Sequence, residues 1–179
     1  MKTDEIKLLY EYNDWADQRI LTACAKVSPE QYAAPTSFGT DRGDLRATLV
    51  HLVDTVWQWR LTCTGFYDTL LSDADYDATE LNEADFPTLN AVEERWQTER
   101  QAMWAYIDTL TDEKLNGILR YVIPGGIVRE RVLWHCLLHV VNHGTQHRSE
   151  AAALLTSYGQ SPGDFDFTMF LNEHFNLPS

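Results

Sequence analysis

The chain has 179 residues, 44% of them hydrophobic and 12% aromatic, a composition that supports one packed core and excludes intrinsic disorder. Its 27 acidic and 14 basic side chains leave a net charge of −13, the wrong sign for nucleic-acid phosphates or an anionic membrane, so neither is expected as a partner. No apolar run approaches a membrane span, and the polar start Met1-Lys2-Thr3-Asp4-Glu5 is no leader peptide, so a cytoplasmic protein of one domain (1–179) is expected.

In chain order, Asp4 to about Val27 reads as a first helix. Leu9, Tyr12 or Asn13, Ala16, Ile20 and Ala23 recur at three- and four-residue spacing, and Ser28-Pro29 stops it. Residues 28–43 carry Pro35, Ser37, Gly39 and Gly43 and read as a loop. A second helix starts near Asp41 to Asp44 and ends at Gly65, with Leu45, Leu49, Leu52, Val56, Trp59 and Cys63 as its buried stripe. Beside that stripe stand His51, Asp54 and Gln58, a polar lane that fits either a solvated face or the wall of a polar cleft.

Residues 66–86 are acidic and irregular, a surface connection without the spacing of a calcium loop. A third helix runs from Pro87 to about Leu110. Leu89, Val92, Trp96, Met103, Ile107 and Leu110 face inward, and Glu93, Glu94, Arg95, Glu99 and Arg100 outward. The period then changes. Ile118–Ile123, Pro124-Gly125-Gly126 and Ile127-Val128 read as two short strands around a turn. A fourth helix runs from Arg129 or Glu130 to Tyr158, closed by Gly159, and the aromatic tail from Asp164 to Leu171 packs back on the helices. The fold class expected is all-α: a four-helix bundle with a small β-hairpin before the last long helix.

Four of the six histidines, His135, His139, His143 and His147, stand four residues apart on that last helix. Steps of four drift by about 40° around a helix, so His139, His143 and His147 share a stripe and an adjacent pair can close on one ion. A single histidine on such a face is more often a hydrogen-bonded core residue than a ligand. A metal site would need a further donor, and His51 and His174 are the other histidines. Cys24, Cys63 and Cys136 have no C-x-x-C spacing and read as small buried apolar residues. Gly144 lowers helix propensity, which a close approach of backbone or ligand would explain.

Tyr12-Asn13-Asp14-Trp15-Ala16, Leu49-Val50-His51-Leu52-Val53-Asp54, His139 through Arg148 and Asp164-Phe165-Asp166-Phe167 together resemble the DinB-like (YfiT-like) metalloenzyme family over nearly the whole chain. That family is unrelated to the polymerase sharing its name. The resemblance implies a four-helix bundle with a metal held by three histidines, here His51, His143 and His147. His139 and His135 are then left outside the ligand set, and His174 at the surface. The chain departs from the family pattern at Gln146 and at Ser149-Glu150. Glu150, at i+3 from His147, reads as a solvated residue or a partner for Arg148 or Arg129, and otherwise as a base behind the ligand.

Three neutral imidazoles leave a divalent ion its full charge and an open position, where it can acidify water or bind a thiolate. The resemblance implies a metal-dependent transferase, isomerase or hydrolase acting on a small electrophilic substrate, with metal-bound water or a low-molecular-weight thiol as nucleophile. Zinc or nickel is the expected metal, with iron, copper and manganese as further options, and a homodimer is the expected assembly. The rival is a non-catalytic metal-binding stress-response protein. A di-iron carboxylate bundle needs paired E-x-x-H motifs, which the sequence lacks.

Overall fold

The computed structural model describes residues 1–69 and 72–177, without the side chain of residue 69. Among these, eight α-helices and one antiparallel ribbon follow in the order α1 (Thr3–Cys24), α2 (Pro29–Tyr32), α3 (Leu45–Cys63), α4 (Asp73–Asp77), α5 (Leu89–Ile107), α6 (Asp112–Asn116), β1 (Ile118–Ile123), β2 (Ile127–Val132), α7 (Leu133–Ser157) and α8 (Phe167–His174). The long helices α1, α3, α5 and α7 form the bundle. Both α1 and α3 pack against α7 and against α5, so α1 and α3 face each other across one diagonal and α5 and α7 across the other. No described helix is long and apolar enough to cross a membrane.

The helix starts follow local chemistry. Asp44 accepts a hydrogen bond from the Ala47 amide at 2.7 Å, and Thr88 accepts one from Ala91 at 3.3 Å, each covering an amide that the first turn leaves open. Both starts lie inside the expected ones: α3 begins after Asp44, and α5 two residues beyond Pro87.

The largest correction falls at the hairpin. β2 continues to Val132, so Arg129–Val132 are strand and α7 begins only at Leu133. Register pairs Ile118 with Val132 and Ile123 with Ile127. Val128, Glu130 and Val132 alternate with charged arginines, a period of two that sustains a strand. Gly125 makes the turn at φ +81°, where a side chain would strain the backbone, and its amide donates to Asp73 Oδ1 at 2.8 Å. Tyr121 sets its ring against Trp59 of α3 at 5.8 Å between centroids, so the ribbon leans on the bundle as its small size requires.

The acidic connection 66–86 contains a 3-10 turn, α4 and a second 3-10 turn, with residues 70 and 71 outside the described residues. Asp54 and Gln58 serve this segment rather than either alternative read from sequence. Asp54 Oδ1 accepts from the Leu81 amide at 3.0 Å, while Gln58 Nε2 donates to Asp54 and to Thr79 Oγ1, both at 3.3 Å.

Two apolar clusters fill the bundle. One joins Ile20, Leu45, Leu49, Val53, Val92, Leu154 and Leu155, and the other joins Ile6, Tyr10, Ala16, Met103, Ile107, Leu137 and Val140 with Phe170 of α8. The aromatic tail therefore packs back as expected. Glu99 does not face outward: it is 1% exposed and forms a bidentate pair with Arg60 of α3, with Arg95 a further 3.8 Å away. A carboxylate is removed from water here because a guanidinium fork meets both its oxygens.

Candidate metal centre

His51 lies six residues beyond the start of α3 at Leu45, and His143 and His147 lie on one stripe of α7. Because α3 and α7 pack directly, the three rings meet. Centroids are 5.1 Å apart for His51 and His143, 4.5 Å for His51 and His147, and 4.4 Å for His143 and His147. One ring nitrogen from each lies within 4.8 Å of the others, a set that can hold a metal ion. The Nε2 atoms of His51 and His143 face each other at 2.9 Å.

His147 carries the most informative atom. Its side chain is buried, and Nδ1 lies 2.8 Å from Glu150 Oε2. A carboxylate only accepts, so the proton belongs on Nδ1 and the lone pair on Nε2. That Nε2 has no hydrogen-bond partner although it is buried. A bare buried lone pair on a ring that stands against two other imidazoles is what a cation would satisfy, so the donor set fits a divalent ion.

Burial pushes the His51 and His143 imidazoles toward their neutral form. The His51 pKa falls to about 3, chiefly through desolvation, with the Arg42 charge and the two partner rings adding to it. His143 falls to about 4, again chiefly by desolvation, with His147, His139 and Arg42 contributing.

Glu150 is thus neither a solvated residue nor a partner of Arg148 or Arg129. Its Oε2 also accepts from Thr40 Oγ1 at 3.2 Å, which ties the loop ahead of α3 to α7. The i+3 spacing to His147 was visible in the sequence, but Thr40 was not; the two are 110 positions apart. Asp41, expected near a helix start, instead lies in that loop, with a carboxylate oxygen within 4.8 Å of Glu150 and of a His147 nitrogen.

His139 stays outside the trio: its ring packs on Trp59 at 5.1 Å, and burial lowers its pKa. His135 sits against Trp134, and His174 is exposed, 3.6 Å from Glu11. Cys24 and Cys136 are buried and Cys63 partly so, all three free. Desolvation pushes the thiols of Cys24 and Cys63 up to about 12, so neither supplies a thiolate near neutrality.

Arg148 explains the glycine next to His143. Fully buried, its Nη1 donates to Asn13 Oδ1 at 2.7 Å and Asp17 Oδ1 at 2.8 Å, and its Nη2 to Thr145 Oγ1 at 3.0 Å. Asp17 Oδ2 in turn accepts from Asn13 and from the Trp96 indole. The guanidinium passes so close to α7 that a Cβ on Gly144 would lie 2.8 Å from Nη1 and 3.0 Å from Asn13 Oδ1. Gly144 is needed for a side chain to pass, not for a left-handed turn.

The DinB family pattern matches residues 1–174. The chain belongs to the DinB family. Among curated proteins, Protein DinB of Bacillus subtilis (strain 168) is 29% identical over 168 residues, covering 92% of this chain and 94% of that one. The family match spans all four bundle helices, including α3 and α7 on which His51, His143 and His147 lie.

Proposed function

We propose that the chain is a metal-dependent enzyme in which His51, His143 and His147 ligate a divalent cation, zinc or nickel first. The observation that carries this reading is the buried, unpartnered Nε2 of His147 beside the two facing imidazoles. With three neutral protein ligands the ion keeps its double positive charge and an open position, and when bound it would acidify water or stabilise a thiolate for attack on a small electrophile.

The protein's own part is orientation and exclusion of water. Glu150 holds His147 in the tautomer that presents Nε2, and Thr40 holds Glu150. Burial keeps His51 and His143 unprotonated, and the Arg148 network anchors α7 against α1 beneath the site.

The test is elemental analysis of untagged protein, wild type and the variants His51→Ala, His143→Ala and His147→Ala. One metal per chain is expected in the wild type, with loss of stoichiometric metal in each variant while far-UV circular dichroism stays helical. Tight metal retained by all three variants refutes the ligand assignment. Turnover of generic electrophiles with low-molecular-weight thiols or water then separates the enzyme from a protein that only takes up metal.

A further inference from the structure

The histidine cluster lies where α3 meets α7. On the opposite face of the bundle, between α1 and α5, a cavity of about 730 Å³ opens to solvent, with Phe170 of α8 also lining it. Small-molecule sites usually measure about 300–1,000 Å³. Asp14 and Trp15, which take no part in the metal centre, line this cavity.

Three of the chain's six tryptophans, Trp15, Trp96 and Trp104, form its walls. Each donates its indole N–H to a carboxylate: Trp15 to Glu173 at 2.7 Å, Trp96 to Asp17 at 3.3 Å and Trp104 to Asp14 at 2.6 Å. With their polar edges satisfied, the rings offer the cavity carbon surface. An anionic acceptor on the N–H also leaves the π face richer in electrons, and such faces attract cations, tryptophan best of all. The chain shows this at Trp15, where the guanidinium carbon of Arg19 stands 4.4 Å from the ring centroid.

Charge points the same way. Of the four lining carboxylates, Asp14 is met by Arg100 at 2.7 Å and Asp17 by Arg148 at 2.8 Å. The other two meet no lysine or arginine within ion-pair distance among the described residues. Glu11 has the His174 ring 3.6 Å away, and Glu93 has neither ion pair nor hydrogen bond. Asp14 stands level with Trp104 and Asp17 with Trp96, so Glu11 and Glu93 lie toward opposite ends. At the Glu11 end, Trp15 and Phe170 set their rings 5.8 Å apart beside Trp104. The net charge of −13 adds to the attraction for a cation. A second copy of this chain is a poor occupant, because a two-fold contact would set one acidic face against another.

We infer that this cavity binds a small organic ammonium ion. Its charged head lies among Trp15, Trp104, Phe170 and Glu11, and its apolar body runs toward Trp96. The site is separate from the three-histidine cluster and does not rest on the metal reading.

The probes are choline and dimethylbutanol, which replaces the choline nitrogen by carbon and so keeps the shape without the charge. Each is titrated into the full chain while the six indole N–H signals are followed by nitrogen–proton correlation spectra, each assigned by replacement with phenylalanine. Choline should shift the Trp15 and Trp104 signals saturably and leave those of Trp57, Trp59 and Trp134 in place. A cation over an aromatic face is worth roughly 2- to 30-fold in affinity, so dimethylbutanol should bind more weakly by that factor, and choline should weaken to a similar degree in Trp104→Leu. Glu11→Gln removes a partly exposed charge and should weaken choline about 2- to 5-fold without affecting dimethylbutanol. Should Trp104→Leu fail to fold, Glu11→Gln and the neutral isostere carry the test. Dimethylbutanol binding as tightly as choline overturns the inference, because the cavity would then read apolar area alone. Choline that leaves Trp15 and Trp104 unmoved, or binds Glu11→Gln as it binds wild type, overturns it too. So does self-association that moves the same signals and shuts choline out. Metal content is measured on the same samples, so the histidine reading stands or falls separately.

Discussion

Replacing Gly144 by alanine sets two effects of opposite sign against each other. Alanine is the better helix former, and in an unobstructed helix interior the exchange stabilises by about 1 kcal/mol. Here the added methyl would stand 2.8 Å from Arg148 Nη1 and 3.0 Å from Asn13 Oδ1, well inside ordinary contact. Arg148 cannot swing aside, since it is fully buried and its Nη1 is held at 2.7 and 2.8 Å by Asn13 and Asp17. Relief requires weakening a charged hydrogen bond, about 1.5–3 kcal/mol, or shifting α7 against a packed core, about 1–3 kcal/mol. The strain exceeds the propensity gain, and a net loss of about 1 kcal/mol is expected. For a chain of this size that lowers the melting temperature by about 2–4 °C. Thermal unfolding of metal-free protein, followed by circular dichroism, reads it directly. Because Gly144 adjoins His143, weaker zinc binding should accompany the loss. A Gly144→Ala protein that melts above wild type would show that the guanidinium does not pass where the structure puts it.

Removing the carboxylate behind His147 with Glu150→Ala should weaken zinc roughly 10- to 100-fold in a chelator competition. Glu150→Gln keeps an acceptor for Nδ1 and should fall between that variant and wild type; equal zinc affinity in all three proteins would remove Glu150 from the site. The depressed pKa values of His51 (about 3) and His143 (about 4) set a pH dependence for the metal-free protein. Unfolded histidines take up protons near pH 6.5 and these two do not, so their contribution is complete above about pH 6.5 and is lost as pH falls toward 4 and below. Melting temperature should decline over that window, with a shallower decline in His51→Gln. Identical slopes in the two proteins would contradict the burial assigned to this ring.

Much of the fold could be read from local patterns. The three-, four- and seven-residue spacing of Leu45, Leu49 and Leu52, or of Val92, Trp96 and Met103, has one physical outcome on a helix, and both sets are buried apart from slight exposure at Trp96. The same period puts His139, His143 and His147 on one stripe, whereas the choice of His143 and His147 from it, and of His51 as their partner, entered through the family resemblance, since nothing local tells a helix which neighbour it will face. Glu99 was misread because charged neighbours surround it in sequence, and its burial depends on Arg60 from another helix. Asn13 and Asp17 belong to the same class: their partner Arg148 lies more than 130 positions away. The late start of α7 was missed because Arg129–Val132 suit a strand as well as a helix, and the pairing with Ile118–Tyr121 decides between them.

The polar group formed by Asn13, Asp17, Trp96 and Arg148 lies at the level where one apolar cluster gives way to the other. Leucines and valines are nearly interchangeable, so helices lined with them can slide by a turn and still exclude water. A buried guanidinium cannot, because one turn in either direction leaves its charge stranded in hydrocarbon. The arginine thus acts as a vernier mark between the first and last long helices, rejecting misaligned assemblies. Since His147 is its immediate neighbour in the chain, the alignment it enforces also fixes the height at which two imidazoles of α7 stand along α1.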